Sequence, residues 1–352
     1  MANGFRKAAM LTAFETLYFT GAHRIGRRFA AGAGVILTFH RVLPASGAAF
    51  QPNSLLEITP EFLELVLTAV RSADLDIVDF AEAERRLATP GARRFVVLTF
   101  DDGYKDTAEF ALPILERYEA PFTVYVPSAF ADGVGELWWA VLEEAIRRSP
   151  AIEIDIEGEP RTFICATPET KEATFDLLDA YLRSLPSWDA VMRFIRQIAA
   201  RYSVDAFRQC RERCMDWDAL RKLAGNPLAT IGAHTVTHPI LAKMTREEAR
   251  AEMDTGAARI GQMLGRRPEH FSYPVGNAES AGQREFDLAD AIGFETAVTT
   301  RRGMLRNDHL GRLKALPRVS INGDYQRQRY VSVLLSGIAT ALMNGFRRAD
   351  AV

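Results

Sequence analysis

Short apolar segments alternate with helical patterns along most of this 352-residue chain. GVILTF at 34–39 and PFTVYVP at 121–127 are apolar runs of strand length, and PEFLELVLTAVRSA at 60–73 has helical spacing after a proline. Repeated strand–helix units of this kind predict a parallel sheet. Because strand ends that carry His and Asp recur along the chain, and the strand ends of a barrel converge on one face, we predict a (β/α) barrel rather than an open sheet.

Three stretches depart from this rhythm. The segment 135–225 combines a hairpin pattern, AIEIDIEGEPRTFICA, with two or three helical patterns, and we interpret it as a mainly helical insertion beside the barrel mouth. Residues 1–33 are expected to form an N-terminal helical segment and residues 326–352 a C-terminal helix. The barrel, with its insertion, is then expected over 34–325.

Charge and cysteine content exclude several classes of protein. The formal net charge is −2, so no basic excess indicates a nucleic-acid partner. The three cysteines are an odd number in a long chain and do not suggest a disulfide framework. Cys210 and Cys214 are four residues apart, but no second His or Cys pair lies near them in the sequence to complete a metal site.

The two ends of the chain bear on its location. The apolar run after Lys7 is broken by Glu15 and makes a poor secretory signal, so we expect a cytoplasmic protein. The alternative is that this basic N-terminal helix rests peripherally on the anionic inner face of a membrane. The apolar run at 330–346 is marginal for spanning a bilayer and favours a docked amphipathic helix.

Two adjacent carboxylates follow the apolar strand in VVLTFDDGYKD, residues 96–106. Asp101 and Asp102 repel each other at this spacing unless a positive group lies between them or one of them is protonated. A polar DDG turn at a strand end is also common without any function, so the pair alone does not identify a site.

A second polar cluster, GAHTVTHP, follows a later strand. His234 closes that strand, and His238 lies in a loop because Pro239 disfavours a helical conformation at the residue before it. Two imidazoles and one carboxylate leave an open position, which is typical of a catalytic rather than a structural zinc site. The H-x3-H spacing alone is weak, but together with the DD strand end it predicts a metal centre.

TFDDG and HTVTHP resemble the first two signature motifs of the polysaccharide deacetylases (NodB homology). The resemblance covers about 34–320, with 135–225 as an added insert. It implies a distorted (β/α) barrel that removes acetyl groups from N-acetylated sugars. It also implies that Asp101 is the general base and that the metal ligands are Asp102, His234 and His238.

The chemistry of the residues agrees with these implied roles. A cation held by Asp102 offsets the repulsion and keeps Asp101 ionised, so that Asp101 can accept a proton from the water that attacks the amide carbon. The expected metal is Zn²⁺, with Co²⁺, Ni²⁺ or Mn²⁺ as alternatives.

The third family motif is altered in this chain. It normally begins with Arg and contains a second aromatic residue, whereas here it is SYPVG at 272–276. By resemblance, the backbone N–H of Val275 points at the developing oxyanion, and Tyr273 and Pro274 contact substrate. The missing Arg normally pairs with the base, and Arg318 in LPRVSI is our candidate to replace it near the substrate.

A general-acid histidine is expected from the family, usually in a late motif. The late region lacks it, but LTFHRV near the start offers His40 at a strand end, which resembles the branch of the family in which this motif opens the barrel. Tyr104, directly after the DDG turn, is our candidate for lining the mouth. Trp138 and Trp139 in the insertion are expected to lie in a core rather than against a sugar.

Three other functions compete with a carbohydrate N-deacetylase. A related amidohydrolase could act on a non-sugar C–N amide bond, and the altered third motif keeps this reading open. A non-catalytic sugar-binding barrel has no need for a water-activating metal. A glycosidase needs two carboxyl groups about 5–9.5 Å apart on either side of the bond, which adjacent aspartates do not offer. The expected substrate is a chitooligosaccharide, an exopolysaccharide or a lipid-linked sugar; the sequence leaves the oligomeric state open.

Overall fold

The computed structural model describes residues 2–156 and 158–346 and contains twelve strands within them. In chain order these are β1 (Gly34–Phe39), β2 (Arg41–Val42), β3 (Glu57–Ile58), β4 (Asp76–Ile77), β5 (Phe95–Phe100), β6 (Phe122–Val126), β7 (Ala151–Ile156), β8 (Glu159–Ile164), β9 (Ala229–Ala233), β10 (His270–Ser272), β11 (Thr296–Arg302) and β12 (Leu316–Ser320).

Fifteen α-helices accompany the strands in the same described residues. They are α1 (Ala2–Phe19), α2 (Ala22–Ala30), α3 (Pro60–Ser72), α4 (Phe80–Ala88), α5 (Leu112–Arg117), α6 (Ser128–Ala131), α7 (Trp138–Arg148), α8 (Pro168–Ser184), α9 (Trp188–Arg201), α10 (Ala206–Arg213), α11 (Trp217–Ala224), α12 (Arg246–Leu264), α13 (Gln283–Ile292), α14 (Gln328–Leu335) and α15 (Ile338–Met343). None of these helices is long and apolar enough to cross a bilayer.

Seven parallel strands close into a barrel, which confirms the predicted (β/α) fold. The order around the ring is β1, β12, β11, β10, β9, β6, β5, and β5 pairs with β1 again. The closing pair runs the full length of both strands, with Gly34 opposite Phe95 and Phe39 opposite Phe100. The short strand β4 pairs with the start of β5.

The inside and the outside of the barrel alternate along each strand, as the two-residue period of a strand requires. Ile36 of β1 and Val97 of β5 pack in one cluster with Tyr125 of β6. Their sequence neighbours Leu37 and Leu98 pack in a different cluster that includes the surrounding helices. The carboxyl ends of the strands therefore bring every second residue into one mouth.

The insertion has a core of its own. β7 and β8 form the antiparallel hairpin predicted from the sequence. Helix α7 precedes the hairpin, and α8 to α11 follow it within 135–225. Trp138 and Trp139 of α7 are buried in this second cluster, as expected for core residues.

One element differs in extent from the sequence-based predictions. Strand β4 is short, because Asp79 caps α4 by accepting a hydrogen bond from the Glu82 N–H. The single helix expected over 326–352 is two helices, α14 and α15, separated at Gly337, whose φ of 75° is left-handed. Residues 347–352 of that prediction lie outside the described residues.

Candidate metal centre and active site

Three polar residues at the mouth, Asp101, His40 and His234, continue the inward-facing positions of their strands. Asp101 follows Val97 and Thr99, and His40 follows Ile36 and Thr38, at intervals of two residues. The Asp101 N–H donates to the Phe39 carbonyl at 2.9 Å, so pairing of β5 with β1 extends to the catalytic end. His234 N–H donates to Val126 O at 3.1 Å, which fixes the end of β9 against β6 in the same way.

Asp102 would face outward if the strand continued. Its backbone instead turns left-handed, with φ of 71°, and brings its carboxylate to the histidines. Asp102 Oδ1 lies 3.4 Å from His234 Nε2 and 3.3 Å from His238 Nε2. One ligand atom from each of the three buried residues lies within 4.8 Å of the others, so the structure brings the predicted metal ligands together.

These separations fit a divalent metal. Ligands about 2.0–2.1 Å from a tetrahedral centre lie roughly 3.3–3.5 Å from each other. Asp102 Oδ1 is buried and has no hydrogen-bond partner within the described chain, although a buried carboxylate oxygen normally has one. The His234 Nδ1–H donates to the Ser272 carbonyl at 2.6 Å, which leaves Nε2 unprotonated and directed at the site.

The electrostatics of the pocket favour the protonation states that ligands need. Burial raises the pKa of Asp102, but the adjacent His238 and His234 imidazoles outweigh burial and hold its pKa well below the usual range. Burial is also the largest influence on His238 and lowers its pKa despite the attraction of Asp102. An ionised carboxylate and a neutral imidazole are the forms that bind a metal.

The histidine loop is held from α12. Glu252 accepts hydrogen bonds from the backbone N–H groups of Val236 and Thr237, each at 2.9 Å. A Cβ on Gly256, one turn further along α12, would lie 2.5 Å from the Thr235 carbonyl, so only glycine permits this approach. His238 itself has a left-handed φ of 61°. No local sequence pattern indicates these loop supports, because they come from a distant helix.

Asp101 is paired with Arg318. Arg318 Nη1 donates to Asp101 Oδ1 at 2.8 Å, and Nη2 donates to Oδ2 at 2.6 Å. The side chains are 0% and 3% exposed. Burial raises the pKa of Asp101, but the Arg318 guanidinium exceeds this effect and lowers the pKa overall. The carboxylate is therefore ionised at neutral pH.

Ser272 contacts Arg318 beside the Asp101–Arg318 pair. Ser272 Oγ accepts a hydrogen bond from Arg318 Nη2 at 3.0 Å, at the position where the family motif carries arginine. Arg318 Nε donates to the Thr299 carbonyl at 2.8 Å, and Nη1 also donates to Thr99 Oγ1 at 3.2 Å. The guanidinium is thus fully anchored by three strands of the barrel.

His40 and Val275 are the partly exposed members of the group. His40 is close enough for its charge to contribute to lowering the pKa of both Asp101 and Asp102. Val275 has a left-handed φ of 62°, and its carbonyl accepts a hydrogen bond from Thr300 Oγ1 at 2.7 Å. Its N–H has no protein acceptor among the described residues, which leaves it available to a ligand.

All four residues predicted to contact substrate are buried. Arg318 pairs with Asp101, as expected if it replaces the missing motif arginine. Tyr273 is 0% exposed, because it faces the helices on the outside of β10, where its hydroxyl donates to Lys314 O at 2.8 Å. Pro274 is buried and its carbonyl accepts from the Gly276 N–H, so it shapes the turn.

Tyr104 is the fourth of these buried residues. It is 1% exposed, because the insertion covers it and its hydroxyl accepts a hydrogen bond from Trp139 Nε1 at 3.2 Å. The Trp139 ring lies 5.0 Å from the His238 ring, edge to face. Helix α7 of the insertion therefore forms one wall of the metal site, a role that sequence reasoning did not assign to Trp139.

A family model for polysaccharide deacetylases matches residues 88–153 and 167–294, more than half of the chain. No curated protein sequence matches.

Solved structures share the fold. The Streptococcus pyogenes deacetylase PplD, solved in complex with acetate, is 17% identical with a TM-score of 0.53, over 82% of this chain and 92% of that one. IcaB from Ammonifex degensii is 18% identical with a TM-score of 0.53, over 87% of this chain and 98% of that one. BC0361, a polysaccharide deacetylase from Bacillus cereus, is 14% identical with a TM-score of 0.53, over 86% and 68%. With the family model matched over both motif regions, this chain belongs to the polysaccharide deacetylase family and is a hydrolase of the C–N bonds of N-acetylated carbohydrates.

Proposed function

We propose that the protein is a metal-dependent N-deacetylase that releases acetate from an N-acetylated oligo- or polysaccharide. The observation that carries this proposal is the convergence of the Asp102, His234 and His238 ligand atoms beside the Asp101–Arg318 pair. A metal-ligand triad and an ionised carboxylate at one barrel mouth are what hydrolysis of an unactivated amide requires.

Asp102, His234 and His238 would hold the metal. One carboxylate and two imidazoles form a donor set suited to Zn²⁺, and Co²⁺, Ni²⁺ and Mn²⁺ are also compatible with it. When bound, a divalent metal acidifies water and polarises the amide carbonyl. The orphaned Asp102 Oδ1 supports this assignment.

Asp101 is the proposed general base. Its carboxylate accepts the proton of the attacking water, and Arg318 acts as a positioning residue that keeps it ionised and in a single orientation. Because Nη1 and Nη2 of Arg318 each hold one Asp101 oxygen, the carboxylate is fixed in this orientation.

His40 and the Val275 N–H complete the proposed reaction. As the C–N bond breaks, His40 donates a proton to the leaving amine nitrogen, so that the products are acetate and a free amino sugar. The Val275 N–H donates to the carbonyl oxygen as negative charge develops on it. Their partial exposure supports these roles, since groups that touch substrate must be reachable.

The proposed substrate classes are a chitooligosaccharide, an exopolysaccharide and a lipid-linked sugar. A cavity of about 200 Å³ is lined by Tyr104 and Trp139, and the Trp139 ring also contacts His238. Gln51, Asn53 and Glu143 line it together with arginines, and such side chains can donate to and accept from sugar hydroxyls.

The test is acetate release from a panel of N-acetylated oligosaccharides by the purified full chain. Each sample is measured after chelation and again after addition of zinc or cobalt. We expect activity that is lost with the chelator, returns with metal and falls about 10²- to 10⁴-fold in Asp101→Asn. Asp101→Asn should still bind one metal, whereas His234→Gln should not.

Two results would argue against the proposal. Metal binding with acetate release only from non-sugar amides would favour the amidohydrolase alternative. Activity that survives complete metal removal would refute the assignment of Asp102, His234 and His238.

A further inference from the structure

Helix α2 presents an unusual surface at the end of the barrel opposite the mouth. Helix α2 precedes β1, and His40 follows the carboxyl end of that strand. The α2 surface and the barrel mouth are therefore separated by the length of β1. Its inward side buries His23 and Ala30. Its outward side exposes Ile25 and Phe29, which are 69% and 80% exposed although both are large and apolar.

The apolar surface extends onto the C-terminal helices. Phe29 and Phe346 line the same cavity of about 420 Å³ between α2 and α15, and Phe346 is 70% exposed. The helices pack closely because Gly26 faces Ile338, where a Cβ would lie 2.8 Å from the Ile338 side chain. Ile25 and Phe29 are four residues apart and therefore share one face of α2.

Arginines flank this apolar surface. Arg24, Arg27 and Arg28 of α2 are all exposed. With Phe29 they line a second cavity of about 700 Å³. Four further arginines line this cavity: Arg86, Arg93, Arg94 and Arg306. None of its described lining residues is an aspartate or a glutamate.

Most of these arginines have no acidic partner among the described residues. Arg86 pairs with Asp76 and Glu82, and Arg93 pairs with Asp74 and Asp76. Within residues 2–156 and 158–346, the ion pairs include none from Arg24, Arg27, Arg28, Arg94 or Arg306. The cavity is therefore a concentrated positive site in a chain whose net charge is −2.

Arg94 lies at the base of this cavity. Its Nε and Nη2 donate to the carbonyls of Gly32 and Ala31, whereas Nη1 is buried without a hydrogen-bond partner. Burial is the main influence that lowers the pKa of Arg94 to about 10, and nearby Arg27 adds to it. The guanidinium still carries its charge at neutral pH and adds to the positive potential of the cavity.

We propose that this surface, formed by Ile25, Phe29 and Phe346 with Arg24, Arg27 and Arg28, docks the protein peripherally on an anionic lipid bilayer. Exposed aromatic and aliphatic side chains enter the boundary between headgroups and acyl chains, and arginines beside them bind lipid phosphates. A nucleic acid would use the arginines but leave the phenylalanines in water, and an apolar protein partner would leave the arginines unpaired. We name this group of six residues the α2 face.

The docked orientation has a direct consequence for the active site. The α2 face contacts the bilayer at the amino end of β1, while Asp101 and His234 lie at the carboxyl ends of the strands. The barrel mouth is then directed away from the membrane, which favours a chitooligosaccharide or an exopolysaccharide over a sugar carried on a lipid of the same bilayer.

The test is co-flotation of the full-length protein with vesicles of phosphatidylcholine alone or mixed with phosphatidylglycerol. We expect binding to the mixed vesicles only, weakened by salt. The triple variant Arg24→Gln/Arg27→Gln/Arg28→Gln should bind roughly a hundredfold more weakly, at about fivefold per arginine. The double variant Ile25→Asn/Phe29→Ser should also lose binding, although it keeps every charge.

A matched control comes from helix α10, where Phe207 is 45% exposed beside an exposed Arg208. Phe207→Ser and Arg208→Gln should leave flotation unchanged, and acetate release from a soluble substrate should be unchanged in all these variants. Equal binding to both vesicle types, binding that survives both α2 variants, or self-association abolished by Phe29→Ser without any vesicle binding would each overturn the proposal.

Discussion

Arg318 holds Asp101 by two parallel hydrogen bonds, 2.8 and 2.6 Å long, in a site that excludes solvent from both side chains. The family motif would supply this arginine from position 272 on β10. In this protein it comes from β12, and Ser272 contacts it across the barrel at 3.0 Å. The same charge therefore reaches the same carboxylate from a different strand.

Substitutions at positions 318 and 272 test the pairing of Arg318 with Asp101 directly. Arg318→Lys keeps the charge but loses the two-pronged geometry. Loss of one charge-assisted hydrogen bond, about 1.5–3 kcal/mol, lowers kcat about 10- to 100-fold. The double variant Ser272→Arg/Arg318→Ser should recover part of the lost turnover. Arg301→Lys, a half-buried arginine that donates to the Ala281 carbonyl, is the control and should be close to wild type. Full activity in Arg318→Lys would contradict the positioning role.

The role of His40 predicts a dependence on the leaving group. His40→Gln should reduce hydrolysis of an N-acetyl sugar about 10²- to 10⁴-fold, because an amine leaves only when protonated. Hydrolysis of 4-nitrophenyl acetate should change little, because its phenolate leaves without a proton. Measurement of kcat on both substrates gives the comparison. Equal losses on the two substrates would indicate that His40 supports the structure of the site rather than protonating the leaving group.

Val275 and Gly276 offer a pair of neighbouring substitutions with opposite predicted outcomes. Val275→Gly retains the N–H and relaxes a left-handed φ of 62°, so we expect turnover within about threefold of wild type. Gly276→Ala should abolish turnover, because a Cβ would lie 2.8 Å from Thr300 N and 2.9 Å from Tyr273 O and would displace the turn. Acetate release with thermal melts of each variant separates activity from folding. A large loss in Val275→Gly would assign the function to the side chain.

Acid stability should depend on His270. Burial lowers its pKa to about 4 in the folded protein, against an ordinary value of 6.5. Between these values the unfolded chain binds a proton that the folded chain does not, so the free energy of unfolding falls as pH decreases from 6.5 towards 4. The full effect is about 3 kcal/mol. His270→Gln removes this contribution, and urea titrations from pH 7 to pH 4 should show a shallower decline. Identical slopes for the two proteins would show that other groups govern acid unfolding.

The barrel and the metal ligands were predictable because their signals are local. Most barrel strands have an apolar run of their own length, Asp101, Asp102 and His234 stand directly at strand ends, and His238 follows four residues after His234. The capping box of α12 was predictable for the same reason: Thr245 and Glu248 exchange hydrogen bonds within one turn.

The errors have physical causes. Ser272 faces the barrel interior, so the two-residue period already turns Tyr273 outward, and the motif resemblance concealed this signal. The burial of Tyr104 depends on where the insertion packs, which no local pattern specifies. The break at Gly337 had a signal in the glycine itself, but the requirement is long-range: a Cβ there would lie 2.3 Å from the Ala30 carbonyl.

Eight non-glycine residues in the described part of the chain have a left-handed backbone, and three of them belong to the proposed site: Asp102, His238 and Val275, with φ values of 71°, 61° and 62°. Each such residue opposes folding by about 1–2 kcal/mol. A thermostability screen that introduces glycine would therefore be drawn to these three positions. At two of them it would trade a proposed metal ligand for a more stable apoprotein. Only position 275, where the proposed contribution is a backbone N–H, leaves room for an enzyme that is both hardier and still active.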